Sequence, residues 1–283
     1  MKLSVIVATH NEEANIGKCL DAIKGIADEM IVADGESTDR TVEIAKAKGA
    51  MVLHMTNKKM FHINKEEARK KAKGDWILFL DADEIVTPEL AKEIKLVLAD
   101  VYHPATLNKQ FAKHMRFIET RDGIKYSSQL PINGYFIARK NYFLGRYLMH
   151  SGVYPDGVIR LVRKDKAFWP CKDVHEQMSV DGGVSWLTEP MIHMADPTFS
   201  RYMERANRYT TLTADSLSKT KTGKDFFTIV NFMLWKPTIT FLFLFFRHKG
   251  FMDGFSGFVW SLMSGLHYAM AYLKFLGADN FSK

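Results

Sequence analysis

Short apolar runs that end in polar clusters alternate with helical patterns along the first hundred residues. The clearest run, Trp76–Leu80, is followed directly by the carboxylates of Asp81, Asp83 and Glu84. Five consecutive apolar residues predict a strand that is buried on both faces. Comparable runs, which predict three further strands, lie at residues 3–8, 30–33 and 50–53.

Helical patterns fill the intervals between these runs. Asn11 is predicted to cap a helix whose apolar positions Ile16, Leu20 and Ile23 share one face. Thr87 is a good N-cap, with Pro88 at the first helical position. Two more helices are predicted at residues 39–48 and 64–73, and Leu90, Ile94 and Val97 form the buried stripe after Pro88. This alternation predicts an α/β fold with a parallel sheet flanked by helices.

Three polar clusters follow three of the predicted strands, at Thr9–Glu12, Asp34–Asp39 and Asp81–Glu84. Right-handed crossovers place the carboxyl ends of parallel strands on one edge, where α/β sheets bind ligands. We therefore expect a nucleotide or another phosphate-bearing ligand there. The sequence has neither a dinucleotide-binding nor a P-loop glycine motif, so a cation held by Asp83 could neutralise the phosphates instead. Plain surface acidity is the alternative explanation for Asp81 and Asp83.

Length and cysteine content limit the class of protein. The chain has 283 residues, 47% hydrophobic and 25% charged, which suits one sizeable domain with an appendage or two small domains. Only Cys19 and Cys171 are present, which predicts a reducing compartment without disulfides. Residues 1–8 lack the length and cleavage pattern of a signal peptide. They are therefore interpreted as part of the fold, where their apolar run predicts a first strand.

The formal charge of +7 is concentrated near the C-terminus, where residues 197–283 hold 11 Lys/Arg against 5 Asp/Glu. Apolar residues dominate from Phe226 to Phe246, interrupted by Lys236-Pro237. A charge and a helix breaker at the centre argue against a membrane span. We expect two short helices in the membrane interface, then a turn over 250–257 and a last helix over 258–276. The alternative is a helical cap packed on the core.

Three N-terminal segments carry a resemblance to a known family: Ser4–Glu13, Val32–Asp39 and Gly74–Glu84 resemble signatures of the family 2 glycosyltransferases, which have the GT-A fold and use nucleotide-sugar donors. The resemblance implies that Asp81 lies near the ribose and sugar and that Asp83 binds Mn²⁺ or Mg²⁺ on the diphosphate. It also implies a phosphate contact for Lys65. The residues that it assigns to the nucleobase and ribose are Thr9, His10, Asn11, Glu12 and Asp34.

The second half of the chain is similar to the subgroup that contains lipopolysaccharide-core glucosyltransferases, in blocks that include Gly134–Arg139, Val174–Glu176 and Gly250–Gly254. This resemblance implies that Glu176 is the catalytic base and that His193 completes the metal site, although a core histidine is the alternative for His193. Arg160 interrupts an apolar run, so it either binds phosphate, pairs with a site carboxylate or faces outward.

The combined hypothesis is an inverting, metal-dependent glycosyltransferase with a Rossmann-like GT-A core and a mostly parallel sheet. Residues 1–100 would bind the donor, 101–196 the acceptor, and 197–283 the membrane. The expected donor is a UDP-hexose, with glucose as the sugar, and the acceptor is lipid-linked or resembles the lipopolysaccharide core. The expected location is the inner face of the cell membrane. The alternatives are a nucleotidyltransferase and a non-catalytic protein that binds membrane or nucleic acid, although no single-strand-binding module is evident.

Overall fold

The computed structural model describes residues 1–57, 62–103, 109–122, 131–171 and 178–278. The chain divides into two compact units. The first unit comprises Met1–Lys140 and Pro155–His193, and the second comprises Asn141–Tyr154 and Met194–Lys283.

The first unit begins with four parallel strands, as the sequence predicts. They pair in the order β3-β2-β1-β4. The elements, in chain order, are β1 (Leu3–Thr9), α1 (Ile16–Ile23), β2 (Glu29–Gly35), α2 (Thr41–Ala47), β3 (Met51–Met55), α3 (His62–Lys71) and β4 (Trp76–Asp81). The register places Thr9 opposite Asp34 and Ala8 opposite Asp81. The predicted polar clusters therefore share one edge of the sheet.

Beyond β4 the sheet becomes antiparallel, so it is mixed rather than mostly parallel. The order continues from β4 through β8, β6 and β11 to β5, and β7 pairs with β6. Parallel neighbours need a long crossover connection, and the segment between β6 and β8 contains only β7. The remaining elements are β5 (Glu84–Ile85), α4 (Pro88–Leu98), α5 (Lys109–Asp122), β6 (Ile132–Phe143), β7 (Arg146–Tyr147), β8 (Val158–Arg163), β9 (Ala167–Phe168), β10 (Ser179–Val180) and β11 (Gly183–Asp196).

The start of α4 confirms the predicted cap. Thr87 accepts a hydrogen bond from the Leu90 amide over 3.2 Å, and Pro88 occupies the first turn. The predicted stripe of Leu90, Ile94 and Val97 is buried, and it belongs to the same apolar core as the residues of β1 and β4. Helix and sheet are therefore joined by the burial of apolar surface.

Asn11 does not cap α1, contrary to the sequence prediction. The helix begins at Ile16 and has Asn15 at its N-cap. Asn11 has a φ of +54°, and its side-chain oxygen accepts a hydrogen bond from the Thr38 amide over 2.8 Å. Asn tolerates the left-handed region, and here its amide group joins the loop after β1 to the loop after β2 instead of capping a helix.

The second unit is dominated by helices. They are α6 (Phe199–Lys219), α7 (Phe226–Val230), α8 (Lys236–Leu242) and α9 (Gly254–Ala278), with π-helical turns at Asn231–Trp235 and Phe243–Arg247 and a 3₁₀ turn at Gly250–Asp253. The last helix begins at Gly254, four residues earlier than predicted. Gly254 itself has a φ of +61° and a ψ of −141°. This conformation is essentially restricted to glycine.

The predicted break at Lys236-Pro237 does not occur, and Phe226–Arg247 is continuously helical. The Lys236 amide bonds the Asn231 carbonyl, five residues back, so a π-turn leads into Pro237. Pro237 then lies in the first turn of α8, where its missing N–H and fixed φ are tolerated. By length and composition alone, this stretch could cross a membrane; it is the one such helix among the described residues.

Candidate active site

Asp81, the last residue of β4, lies between two buried cations. Its carboxylate accepts from Lys65 Nζ over 2.7 Å and from Arg160 Nη2 over 2.6 Å. The Lys65 side chain on α3 is fully buried, and that of Arg160 on β8 is 6% exposed. Arg160 thus pairs with a site carboxylate, one of the roles that the sequence left open. The phosphate contacts predicted for Lys65 and Arg160 stay predictions.

Glu84 extends this arrangement into a network. Its fully buried carboxylate accepts from Arg160 Nη2 over 2.6 Å and from Arg139 Nη1 over 3.4 Å. It also accepts from the Asp81 amide over 2.9 Å. Arg139 lies 2.9 Å from Asp156 as well. Three cations thereby face three carboxylates, so the network is balanced in formal charge, as buried ions require.

Neither Glu84 nor Arg139 is predicted as a site residue by the sequence. The available signal is slight: Glu84 ends the acidic cluster, and Arg139 ends one of the blocks that resemble the second subgroup. Their pairing depends on β4, β6 and β8 being neighbours, because β6 and β8 pair with each other and β8 with β4. That antiparallel half of the sheet could not be predicted from local patterns.

The network shifts the pKa values of its members. Burial acts to raise the pKa of Asp81, but attraction to Arg160 and Lys65 outweighs it and holds that pKa well below its usual range. Burial lowers the pKa of Lys65, and Asp81 opposes that shift. Asp81 is thereby kept ionised, which suits a carboxylate that positions a ligand and does not suit a proton donor.

Two buried polar atoms at the ends of β1 and β2 make no hydrogen bond. They are Thr9 Oγ1 and Asp34 Oδ1, in side chains that are 8% and 1% exposed. The other oxygen of Asp34 accepts from the Ser37 amide over 3.1 Å. Thr9 and Asp34 are register partners. Buried polar atoms are nearly always paired in native proteins, and a ligand with hydrogen-bonding groups would satisfy both of these oxygens.

His10, Asn11 and Glu12 follow β1 in a loop that is tied to its neighbours. His10 Nδ1 lies 2.6 Å from the Gly35 carbonyl, and His10 Nε2 lies 3.3 Å from Asn57 Nδ2. Glu12 donates its amide to Thr41 over 2.8 Å. The exposed ring of His10 is therefore held in place at this edge of the sheet.

Asp83 and His193, the two residues predicted to bind a metal, lie close together. His193 on β11 is the register partner of Glu84 on β5. This pairing brings His193 Nε2 to 3.6 Å from Asp83 Oδ2, with side chains that are 13% and 16% exposed. No group of three or more His, Cys, Asp or Glu side chains with metal-site geometry exists within the described parts of the chain. The site thus offers a cation two ligands from the protein.

A carboxylate and an imidazole fit Mn²⁺, and one or two carboxylates with substrate phosphates are the usual Mg²⁺ set. The residues therefore fit a cation whose remaining ligands are supplied by a diphosphate and water.

Glu176, the predicted base, lies outside the described residues. Trp169, seven residues before it, stacks on His62 at a ring-centroid distance of 4.1 Å.

Residues 4–146 match the family described as glycosyl transferase family 2. An uncharacterised glycosyltransferase of Rickettsia typhi is 30% identical over 97% of this chain and 85% of its own length. The lipopolysaccharide core biosynthesis glycosyltransferase LpsC of Rhizobium meliloti is 25% identical over 95% of this chain and 89% of its own.

Among solved structures, a mannosyltransferase of Pyrobaculum calidifontis, in complex with GDP-Man and Mn²⁺, is 16% identical. It aligns over 97% of this chain and 87% of its own, with a TM-score of 0.49. The chain belongs to glycosyltransferase family 2 and is an enzyme. The predicted family and the predicted α/β fold class are confirmed, with a mixed sheet in place of a mostly parallel one. Family membership sets aside the nucleotidyltransferase and the non-catalytic binding protein.

Proposed function

We propose that the enzyme transfers a hexose, with glucose as the expected sugar, from a UDP-sugar to a lipid-linked or lipopolysaccharide-core-like acceptor, with inversion at the anomeric carbon. The observation that carries the donor half of this proposal is the pair of buried, unpartnered oxygens of Thr9 and Asp34. Ribose hydroxyl groups would satisfy both, since a hydroxyl donates and accepts. UDP as the nucleotide rests on the resemblance of the sequence signatures.

The division of roles rests on the resemblance of the sequence signatures, and the charge arrangement supports it. His10, Asn11 and Glu12 would border the base, and Asp81 would hold the ribose or sugar from its place between Lys65 and Arg160. Asp83 and His193 would hold Mn²⁺ or Mg²⁺. When bound, the cation supplies positive charge to the departing diphosphate. Lys65 and Arg160, which pair with Asp81, are the expected phosphate contacts at the same edge of the sheet.

Proton transfer is assigned to Glu176 by resemblance. The acceptor hydroxyl oxygen would form a bond to the anomeric carbon as the bond from that carbon to the diphosphate oxygen breaks. The hydroxyl proton would pass to the Glu176 carboxylate, and the bonding electrons would leave with UDP. A single base is sufficient, because the leaving diphosphate needs no proton.

The acceptor class rests on the likeness to LpsC and on the second unit. Many large apolar side chains there are exposed, among them Phe226, Phe227, Trp235 and Phe255 at 64–82%. Together with the basic excess of this region, they favour peripheral attachment to the inner face of the cell membrane, where lipid-linked saccharides would be met.

The transfer reaction can be tested by product mass. The purified enzyme would be incubated with Mn²⁺, lipid extract from the source cell, and UDP-glucose, UDP-galactose or GDP-mannose in turn. We expect a lipid-linked species that gains one hexose with UDP-glucose only. A gain from GDP-mannose alone would overturn the UDP assignment, and a modified water-soluble acceptor in place of a lipid would overturn the acceptor class.

A further inference from the structure

The exposed side chains of the helical stretch Phe226–Arg247 repeat every four residues from position 232 to its end. From 232 to 247, two exposed positions alternate strictly with two that are buried or half-buried. We call the exposed set the stripe; its members are Leu234, Trp235, Thr238, Ile239, Leu242, Phe243, Phe246 and Arg247. Six of these eight residues are large and apolar, and the single charge lies at the C-terminal end.

A repeat of four is not the period of a regular α-helix. With about 3.6 residues per turn, positions four apart drift by roughly 40° at each step, so the stripe would wind around the helix. The two π-turns remove that drift, because each accommodates an additional residue per turn. The amides of Lys236 and His248 bond carbonyls five residues back, at Asn231 and Phe243. The stripe is therefore straight and stays on one face.

The opposite face is packed against α9. A Cβ on Gly265 would lie 2.5 Å from the Pro237 carbonyl, so the two backbones are in close contact. Phe241 and Phe245 meet Phe258 edge-on, at centroid distances of 5.7 and 5.9 Å. The stretch is thus two-sided, whereas an isolated membrane span faces lipid all round.

Charge identifies the partner of the exposed face. Residues 216–278 contain seven Lys or Arg and two Asp, and one of these acids, Asp253, is buried. Arg247 and Lys249 are both exposed at the end of the stripe. On α9, four further apolar residues are exposed at helical spacing, namely Phe255, Phe258, Leu262 and Leu266. Apolar area bordered by basic groups matches the surface of an anionic bilayer.

We propose that Phe226–Arg247 lies parallel to the plane of an anionic membrane with the stripe facing the lipid, and that it does not cross the bilayer. This inference rests on the membrane attachment in the proposed function and specifies its geometry. The π-turns allow this in-plane orientation, because they keep the bulky side chains at one depth along the whole stripe.

Single cysteines placed one repeat apart test this geometry directly. Leu234→Cys, Thr238→Cys, Leu242→Cys and Phe246→Cys would each be made with Cys19→Ala and Cys171→Ala, and labelled with an environment-sensitive fluorophore. Leu96→Cys, on an exposed position of α4, is the matched control. Quenching by nitroxides at known depths would be measured on vesicles of phosphatidylcholine with phosphatidylglycerol.

We expect the four stripe labels to report one shallow depth, within a few ångströms, and the control to stay in water. A crossing helix would separate positions 234 and 246 by about 18 Å along the membrane normal, which would overturn the proposal. Shielding of the stripe labels without vesicles, together with a doubled mass, would assign the stripe to a second copy of the chain and would also overturn it.

A matched pair of charge substitutions completes the test. Leu242→Asp should weaken vesicle binding at least tenfold, while Leu96→Asp should leave it unchanged. UDP binding, measured in the same preparations, verifies the fold and separates the two proposals. If no variant, including the wild type, binds vesicles while UDP binding is intact, membrane attachment fails as a whole and the transferase assignment does not.

Discussion

Arg160 Nη2 lies 2.6 Å from the carboxylate of Asp81. This contact joins the end of β4 to β8, and the same nitrogen also reaches Glu84 at 2.6 Å. A guanidinium with 6% exposure is thereby shared between two carboxylates, one of them fully buried. This end of β4 is therefore held by charge pairs as well as by apolar packing.

Arg160→Gln should lower the free energy of unfolding by about 3 kcal/mol or more, because Glu84 would keep its buried charge and lose its closest cation. Urea denaturation measures the change. Arg163→Gln is the control, since Arg163 is 36% exposed and its carboxylate partner Asp100 lies 3.9 Å away and is 80% exposed. Equal losses in the two variants would show that the network contributes no special stability.

The depressed pKa of Asp81 predicts a pH dependence. Because its folded pKa is lowered by Arg160 and Lys65, its contribution to stability is complete above the unfolded pKa, near about 4. That contribution is lost as the pH falls through the folded value. The stability difference between wild type and Asp81→Asn should therefore be constant above about pH 5 and shrink on acidification. A difference that grows toward low pH would contradict this sign.

Thr9→Val separates ligand binding from stability. In the free enzyme the Thr9 hydroxyl is buried and unpartnered, so its removal should leave the free energy of unfolding unchanged or raise it by about 1 kcal/mol. The affinity for UDP should fall roughly five- to tenfold. Thr41→Val is the matched control, because the Thr41 hydroxyl accepts from the Glu12 amide over 2.8 Å and its loss should destabilise the fold.

Glu176→Gln tests the assignment of the base. The amide cannot accept the acceptor proton, so turnover should fall by about 10²- to 10⁴-fold while UDP binding is retained. Steady-state kinetics with the acceptor found by product mass would give the first quantity and calorimetry the second. A comparable loss of donor affinity would instead place Glu176 among the donor contacts.

The parallel half of the fold could be predicted because its signals are local. Apolar runs mark β1 to β4, and Thr87 with Pro88 marks the start of α4. The antiparallel half depends on pairings distant in sequence, such as Glu84 with His193, and a two-residue strand has no pattern of its own. The break expected at Pro237 failed because a π-turn can accommodate proline without ending the helix.

The site residues, too, divide into those that local patterns predict and those that depend on strand pairings distant in sequence. Strand ends predicted that Thr9, Asp34 and Asp81 share an edge, since parallel strands align their carboxyl ends. The network of Glu84 with Arg139 and Arg160 could not be predicted, because its members are brought together by β6 and β8. The family resemblance identified Asp83 and His193 as the predicted metal ligands. The pairing of β5 with β11 places their side chains 3.6 Å apart.

In the proposed function, the sheet edge that carries Thr9, Asp34 and Asp81 binds a nucleoside diphosphate together with a divalent cation. Isothermal titration of UDP, with and without Mn²⁺, tests it most directly. We predict binding to the wild type that strengthens at least tenfold with Mn²⁺, and loss of that gain in Asp83→Ala and His193→Ala. UDP binding that is absent, or equal with and without Mn²⁺ in all three proteins, would contradict the account.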